Sequence, residues 1–339
     1  MNLNAVGIDI AKNVFQVCWV DPASGELVNR QVKRASLLQL FANRERCLIG
    51  MEACGGAQHW ARMLIGLGHD VRIMAGKAVK AFVNRNKSDF ADAKAIWMAV
   101  QQPVKCVAVK TEAQQAILAL HRMRQQLIKF RTMQINGLRG LLAEYGEVMG
   151  VGRAGINRAI APILAKLRDR LPAVFIESLQ DQWGRIGKLD DEVAAIEQKL
   201  KAWMKEERAC KVLAEIPGVG LLTATAAVAT MSNPQSFKSG REFAAFLGLV
   251  PGHTGTGGKT KLLGISKRGD TYLRTLLIHG ARSVMAHQKT PPSWLAELQL
   301  RRPHNVVAVA LANKMARTMW ALLAHDRPYK QDHISAVPA

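Results

Sequence analysis

Over residues 4 to 52 the chain repeats one local pattern that few folds can accept: short apolar runs, each stopped by a turn or by an acidic residue. Residues 4–20 read as two strands joined by a tight turn at Lys12-Asn13, and 26–33 read as a third. A helix near 36–43, a strand at 47–52, a helix at 56–67 and a strand at 70–74 follow, then helices around 77–84 and 89–100, with Pro103 closing the unit.

A three-strand meander passing into alternating helix and strand is the element order of a ribonuclease-H-like α/β domain. Two strands of this order end in acids. Asp9 ends the run Val6-Gly7-Ile8-Asp9, and Glu52 ends Ile49-Gly50-Met51-Glu52. Asp89 and Asp92 stand three apart, which puts both on one side of a helix. Four carboxylates meeting at a sheet end suit a pair of Mg2+ (or Mn2+) ions, which stabilise the attacking and leaving oxygens of phosphoryl transfer. A sugar kinase or actin-like ATPase also begins with a strand ending in Asp, but needs a glycine-rich phosphate loop directly after it, where this chain has Ala11-Lys12-Asn13.

Around these acids the 339-residue chain is strongly basic, with 47 Lys and Arg against 26 Asp and Glu and a formal net charge of +21. Such an excess, spread through the sequence, implies a nucleic-acid partner rather than a membrane surface. Residues 113–143 contain no acid, while Arg122, Arg124, Lys129, Arg131 and Arg139 recur among apolar positions. Ile128, Ile135 and Leu142 repeat every seven residues, so this stretch reads as a long basic helix. A second helical stretch at 188–206, with Leu189, Val193, Ile196, Leu200 and Trp203 in phase, could pair with it as a hairpin within the chain or as a coiled coil between subunits. Further on, Ile216-Pro217-Gly218-Val219-Gly220 reads either as a helix-hairpin-helix whose Gly218 and Gly220 approach a phosphate, or as a plain turn between helices. Pro251-Gly252-His253-Thr254-Gly255-Thr256-Gly257-Gly258-Lys259 reads as a flexible loop followed by Lys261, Lys267, Arg268 and Arg274, with Lys259, Lys261, Lys267 and Arg268 as nucleic-acid contacts.

Five scattered cysteines, Cys18, Cys47, Cys54, Cys106 and Cys210, read as buried free thiols. His121, His253, His279 and His287 lack metal-ligand spacing, and Trp183, Trp203, Trp294 and Trp320 read as packing residues. No apolar run reaches membrane length and no signal peptide opens the chain, so the expectation is a cytoplasmic, nucleoid-associated bacterial protein with no membrane partner.

Taken in order, these motifs resemble the DEDD transposases of insertion-sequence family one-ten, eleven-eleven subgroup, relatives of Piv-type DNA invertases. The stretches that carry the resemblance are Gly7-Ile8-Asp9-Ile10-Ala11-Lys12, Met51-Glu52-Ala53-Cys54-Gly55-Gly56, Lys87-Ser88-Asp89-Phe90-Ala91-Asp92-Ala93, Ile216-Pro217-Gly218-Val219-Gly220, Phe246-Leu247-Gly248-Leu249-Val250-Pro251, Gly255-Thr256-Gly257-Gly258-Lys259, Leu263-Gly264-Ile265-Ser266-Lys267-Arg268-Gly269-Asp270 and residues 305–314. The resemblance implies an α/β plus α architecture. A RuvC-like DEDD catalytic domain would occupy 1–104, a helical coiled-coil region 105–208, and a mainly helical C-terminal transposase domain with the helix-hairpin-helix-like motif and nucleophile loop 209–330, before a tail at 331–339.

In this family Asp9, Glu52, Asp89 and Asp92 would be the metal ligands, joined by the C-terminal domain in a composite active site. A hydroxyl of the glycine-rich loop would attack DNA and form a covalent intermediate, and a structured RNA from the element would guide target and donor double-stranded DNA. The family's nucleophile is commonly serine; here Thr256 stands beside Gly257-Gly258-Lys259, with Thr254 and Ser266 in reserve. A homodimer or homotetramer is expected. Two other classes compete: a RuvC-like nuclease or junction resolvase in which water attacks, and a non-catalytic nucleic-acid-binding protein with a decayed site. Four acids argue against decay, and the hydroxyl-bearing loop separates a recombinase from a nuclease.

Overall fold

The computed structural model describes residues 4–83 and 88–330. Lys87 of the acid motif, the end of the expected 77–84 helix, the first three residues of the chain and the 331–339 tail lie outside the described residues. The chain divides into two units, Met1–Ala113 and Gln114–Ala339.

The first unit is a mixed α/β layer. Its strands are β1 (Ala5–Asp9), β2 (Val14–Val20), β3 (Leu27–Lys33), β4 (Leu48–Glu52), β5 (Asp70–Met74) and β6 (Cys106–Val107), in sheet order β3-β2-β1-β4-β5-β6. The meander β1-β2-β3 is antiparallel, β1-β4-β5 are parallel, and β6 returns antiparallel to β5. Helices α1 (Leu37–Ala42) and α2 (Ala57–Gly66) follow β3 and β4; α3 (Gly76–Lys80) and α4 (Asp89–Val100) follow β5. This agrees with a ribonuclease-H-like order; the short strand β6 is an element for which two apolar residues provide no periodicity, and the described part of α3 is one turn.

Alternation along the strands sorts side chains onto two faces. Val6, Ile8, Phe15, Val17, Ile49 and Met51 join the core on one face with Leu37, Phe41 and Leu64. Ala5, Cys18 and Met74 face the other way, where Ala93, Ile96, Trp97 and Val100 of α4 cover them. Glycines permit that cover. A Cβ on Gly7 would overlap the backbone of Ala93 and Trp97, and one on Gly50 would lie 2.7 Å from Val100 Cβ.

Among its described residues the second unit is helical apart from one ribbon. It contains α5 (Glu112–Ala143, entering from the first unit), α6 (Gly152–Leu167), α7 (Ala173–Glu206), α8 (Arg208–Ala214), α9 (Leu221–Met231), α10 (Gly240–Phe246), the strands β7 (Pro251–Thr256) and β8 (Lys259–Ile265), then α11 (Thr271–His287), α12 (Ser293–Arg301) and α13 (His304–Ala324). Ile135, Leu138 and Leu142 of α5 pack with Ile156, Ile160 and Ile186 of the next two helices. The pairing of α5 with α7 is thus within one chain, and α7 begins well before the expected 188 because Ile176 and Leu179 continue its buried stripe. A separate core joins α8 to α13. By length and composition α13 could cross a membrane, yet Val307, Leu311, Met315 and Met319 are buried in that core.

The expected flexible glycine loop is instead a β-hairpin. Thr256 pairs with Lys259 across Gly257 and Gly258, whose φ values of 59° and 79° are those of a type I′ turn. Among the cysteines, Cys18, Cys47 and Cys210 are buried as expected, Cys106 is half-buried, and Cys54 is exposed.

Candidate functional site

Asp9 and Glu52 occupy the C-terminal ends of neighbouring parallel strands. Ile8 pairs with Met51, so the next residue of each strand, Asp9 and Glu52, stand side by side. Period-two alternation puts both side chains on the face covered by α4, with Ala5 and Gly7 on one strand and Gly50 on the other. Glu52 lies against Gly76, where a Cβ would overlap its carboxylate. Both acids act on one further group: partial burial first, then the charges of Asp9 and Glu52, raise the Cys54 thiol above its ordinary range.

Asp89 and Asp92 open α4, whose N-cap Ser88 accepts a hydrogen bond from the Ala91 amide at 3.2 Å. Asp89 is exposed and Asp92 half-buried. The helix crosses the sheet from β3, where Asn29 reaches the Phe90 carbonyl, over β1 at Ala93 and Trp97, to β4 at Val100. All four acids therefore share one side of the sheet. Among the described residues no three acids, histidines or cysteines converge closely enough to close a metal site. The donor set suits a divalent ion by chemistry, being carboxylate oxygens only, with the Asp9 and Glu52 pair already adjacent.

In the hairpin, Thr254 faces Lys261 and Thr256 faces Lys259, so two hydroxyls and two ammonium groups lie on one face of the ribbon. All four are exposed. Gly255 is required by packing, since a Cβ there would overlap the Lys259 carbonyl. Ser266 lies at the opposite end, its amide donating to Val250 O at 2.8 Å. Six strand residues at about 3.3 Å each put it roughly 20 Å from the Thr256 end. The hairpin base is clamped: buried Arg274 donates through Nη1 to both Leu247 O and Arg268 O at 2.9 Å. Lys267 and Arg268 are exposed in the return turn.

Of the five basic residues expected on α5, two are in ion pairs and a third, Arg139, donates to the carbonyls of Gly150 and Gly152 at 2.8 and 2.7 Å. Arg124 donates to Glu197 at 2.7 Å and Arg131 to Asp190 at 2.6 Å, with Arg153 on the other Asp190 oxygen. Arg122 and Lys129 are exposed. The acids of α7 are the partners that a reading confined to the acid-free stretch misses; the seven-residue step shared by 124, 131 and 190, 197 is the signal for them. Gly218 adopts φ +84° and packs on Gly280, whereas Gly220 is open at the start of α9. His121 is a buried polar contact: Thr225 Oγ1 donates to Leu221 O at 2.7 Å, so it accepts from His121 Nε2 at 3.0 Å, and Nδ1 accepts from Tyr272 at 2.9 Å. Burial first, and then Arg124, lowers His121 to a pKa of about 4.

Transposases resemble this chain along nearly its whole length. A family profile for the DEDD transposases of IS110 matches residues 6–147, and one for "Transposase IS116/IS110/IS902 family" matches residues 210–295. A "Probable family 20 transposase" of Pseudomonas aeruginosa is 43% identical over 336 residues, covering 97% of this chain and 99% of the relative. The transposase for insertion sequence element IS1111A of Coxiella burnetii is 39% identical over 97% of this chain and 92% of its own length. That for IS1328 of Yersinia enterocolitica is 38% identical over 95% and 97%.

Proposed function

We propose, from the premise that this chain belongs to the IS110 family of DEDD transposases, that it exchanges DNA strands through a covalent threonine-DNA intermediate formed at Thr256. The chain is a transposase of insertion-sequence type, an enzyme that cleaves and rejoins DNA. DEDD transposases use a divalent metal; Asp9, Glu52, Asp89 and Asp92 would hold Mg2+ or Mn2+, which would supply positive charge to the phosphate being transferred.

The observation that carries the covalent step is Thr256 at the hairpin tip, exposed and directly opposite Lys259. In the step itself, Thr256 Oγ forms a bond to phosphorus as the bond from phosphorus to the leaving sugar oxygen breaks, and the hydroxyl proton is passed to that oxygen. Attack by a sugar hydroxyl of the second strand reverses the exchange, frees Thr256 and leaves a joined strand. Lys259 and Lys261 neutralise the flanking phosphates, and Gly257 and Gly258 keep side chains away from them.

Double-stranded DNA of the element ends and target is the substrate, and a structured RNA encoded by the element is the proposed guide. Exposed Arg122 and Lys129 on α5, with Lys267 and Arg268 at the hairpin base, support polyanion contacts. A homodimer or homotetramer is proposed as the working assembly, supported by Met123, Phe130 and Met133 exposed on α5. The site of action is the bacterial nucleoid, in the cytoplasm.

The test is to trap the intermediate on nicked substrate and map it. Wild type and Thr256→Ser yield a protein-DNA adduct and Thr256→Val yields none. Cleaved free ends with no adduct would replace this reading with a water-dependent nuclease, and an adduct mapping to Thr254 or Ser266 would move the nucleophile.

A further inference from the structure

The first turn of α4 is held differently from the rest of that helix. Beyond it, burial of Ala93, Ala95, Ile96, Trp97, Ala99 and Val100 fixes the helix on the sheet. The first turn has little of this restraint: Asp89 is exposed, Asp92 is half-buried and Phe90 is 54% exposed. What reaches it is a polar relay running across the sheet face. Gln16 stands directly opposite Asp9 in the β1-β2 pair and is only 8% exposed. It donates through Nε2 to Asn29 Oδ1 at 2.6 Å, and Asn29 Nδ2 donates to the Phe90 carbonyl at 2.9 Å. Since Gln16 pairs with Gln31, Asn29 is its diagonal neighbour on the same face.

We infer that Gln16 and Asn29 are positioning residues for the divalent metal, holding the turn that carries Asp89 and Asp92 in register with Asp9. The inference rests on the metal reading given under Proposed function. Phe90 lies between the two acids, so a bond to its carbonyl sets both of them at once. Two amides in series suit the task. Each uses a donor to orient the next group, and neither brings a charge that would compete with a cation for the carboxylates. Stability of the helix on its sheet does not require the relay, because the glycine steps at Gly7 and Gly50 and the buried residues beyond Asp92 already provide it.

The experiment measures Mn2+ binding to the full chain by electron paramagnetic resonance, beside thermal unfolding, for wild type, Asn29→Leu, Gln16→Leu, the double variant and Asp9→Asn. Loss of an outer-shell partner is expected to weaken Mn2+ binding about tenfold or more in each single variant. The double variant should lose about as much as either single one, because both interrupt the same relay. Asn29 lies half-buried on the edge strand β3, so its variant should unfold at a temperature close to that of wild type even where the more buried Gln16→Leu does not. Affinity in folded Asn29→Leu within about twofold of wild type, short of the outer-shell range, would overturn the inference while leaving the metal reading in place. Wild-type binding indistinguishable from that of Asp9→Asn would overturn the metal reading itself.

Discussion

Gly218, in the turn between α8 and α9, and Gly280, in α11, meet backbone to backbone. A Cβ on Gly218 would sit 2.7 Å from the Gly280 carbonyl oxygen, and one on Gly280 would overlap the carbonyl oxygen of Gly218. The first glycine of the Pro-Gly-Val-Gly turn therefore serves the packing of the C-terminal core, and its φ of +84° adds a second reason for glycine there.

Gly280→Ala is expected to destabilise the chain by about 1–3 kcal/mol through overpacking against Gly218. Gly220→Ala, with no atom within 4 Å of its added Cβ and φ −94°, should cost less than about 1 kcal/mol, as for a helix N-cap. Urea unfolding of the two variants separates them; equal losses would contradict the packing role assigned to Gly280.

Asp9→Asn and Asp92→Asn should each abolish strand exchange while DNA binding persists, because a metal-binding carboxylate is lost and the basic surface is untouched. EDTA should reproduce the effect in wild type. Full exchange by either variant in Mg2+, measured on a plasmid carrying both element ends, would exclude that carboxylate from the mechanism.

The charges on α5 should separate into two classes. Arg122→Ala and Lys129→Ala leave stability within about 0.5 kcal/mol and flatten the salt dependence of nucleic-acid binding by about one unit of slope each. Arg124→Ala and Arg131→Ala instead loosen the hairpin with α7, by about 1 kcal/mol or less each because these pairs remain partly exposed. A double-mutant cycle on Arg124 and Glu197, together with binding titrations at several salt concentrations, checks both halves.

His121 makes stability fall on the acid side. Its pKa drops from 6.5 in the unfolded chain to about 4 in the folded one, so the neutral ring is favoured by folding. The contribution is fully present above pH 6.5 and is lost as the pH falls toward 4, where protonation of Nδ1 removes the acceptor for Tyr272. Between those values wild type should lose roughly 3 kcal/mol more than His121→Gln, which has no proton to bind. Parallel pH profiles of unfolding free energy would show that this histidine does not control the acid limb.

Elements whose signals lie within a turn or two of chain were legible before folding. Apolar runs stopped by Asp9 and Glu52, and the three-residue step from Asp89 to Asp92, are local patterns, and they contained the strands and the helix that carry the four acids. The heptad of Ile128, Ile135 and Leu142 likewise contained its helix. Tertiary structure alone decided which groups meet. Arg131 and Asp190 are 59 residues apart, and Gln16, Asn29 and Phe90 are joined only when β2, β3 and α4 share a face. The ribbon of Thr254 and Thr256 resembled a loop for a different reason: with nearly all of its residues exposed, it has no alternation of buried and exposed positions to leave in the sequence. Periodicity records burial and turn chemistry, which are set by neighbours in the chain, whereas ion pairs, polar relays and glycine contacts are set by neighbours in space.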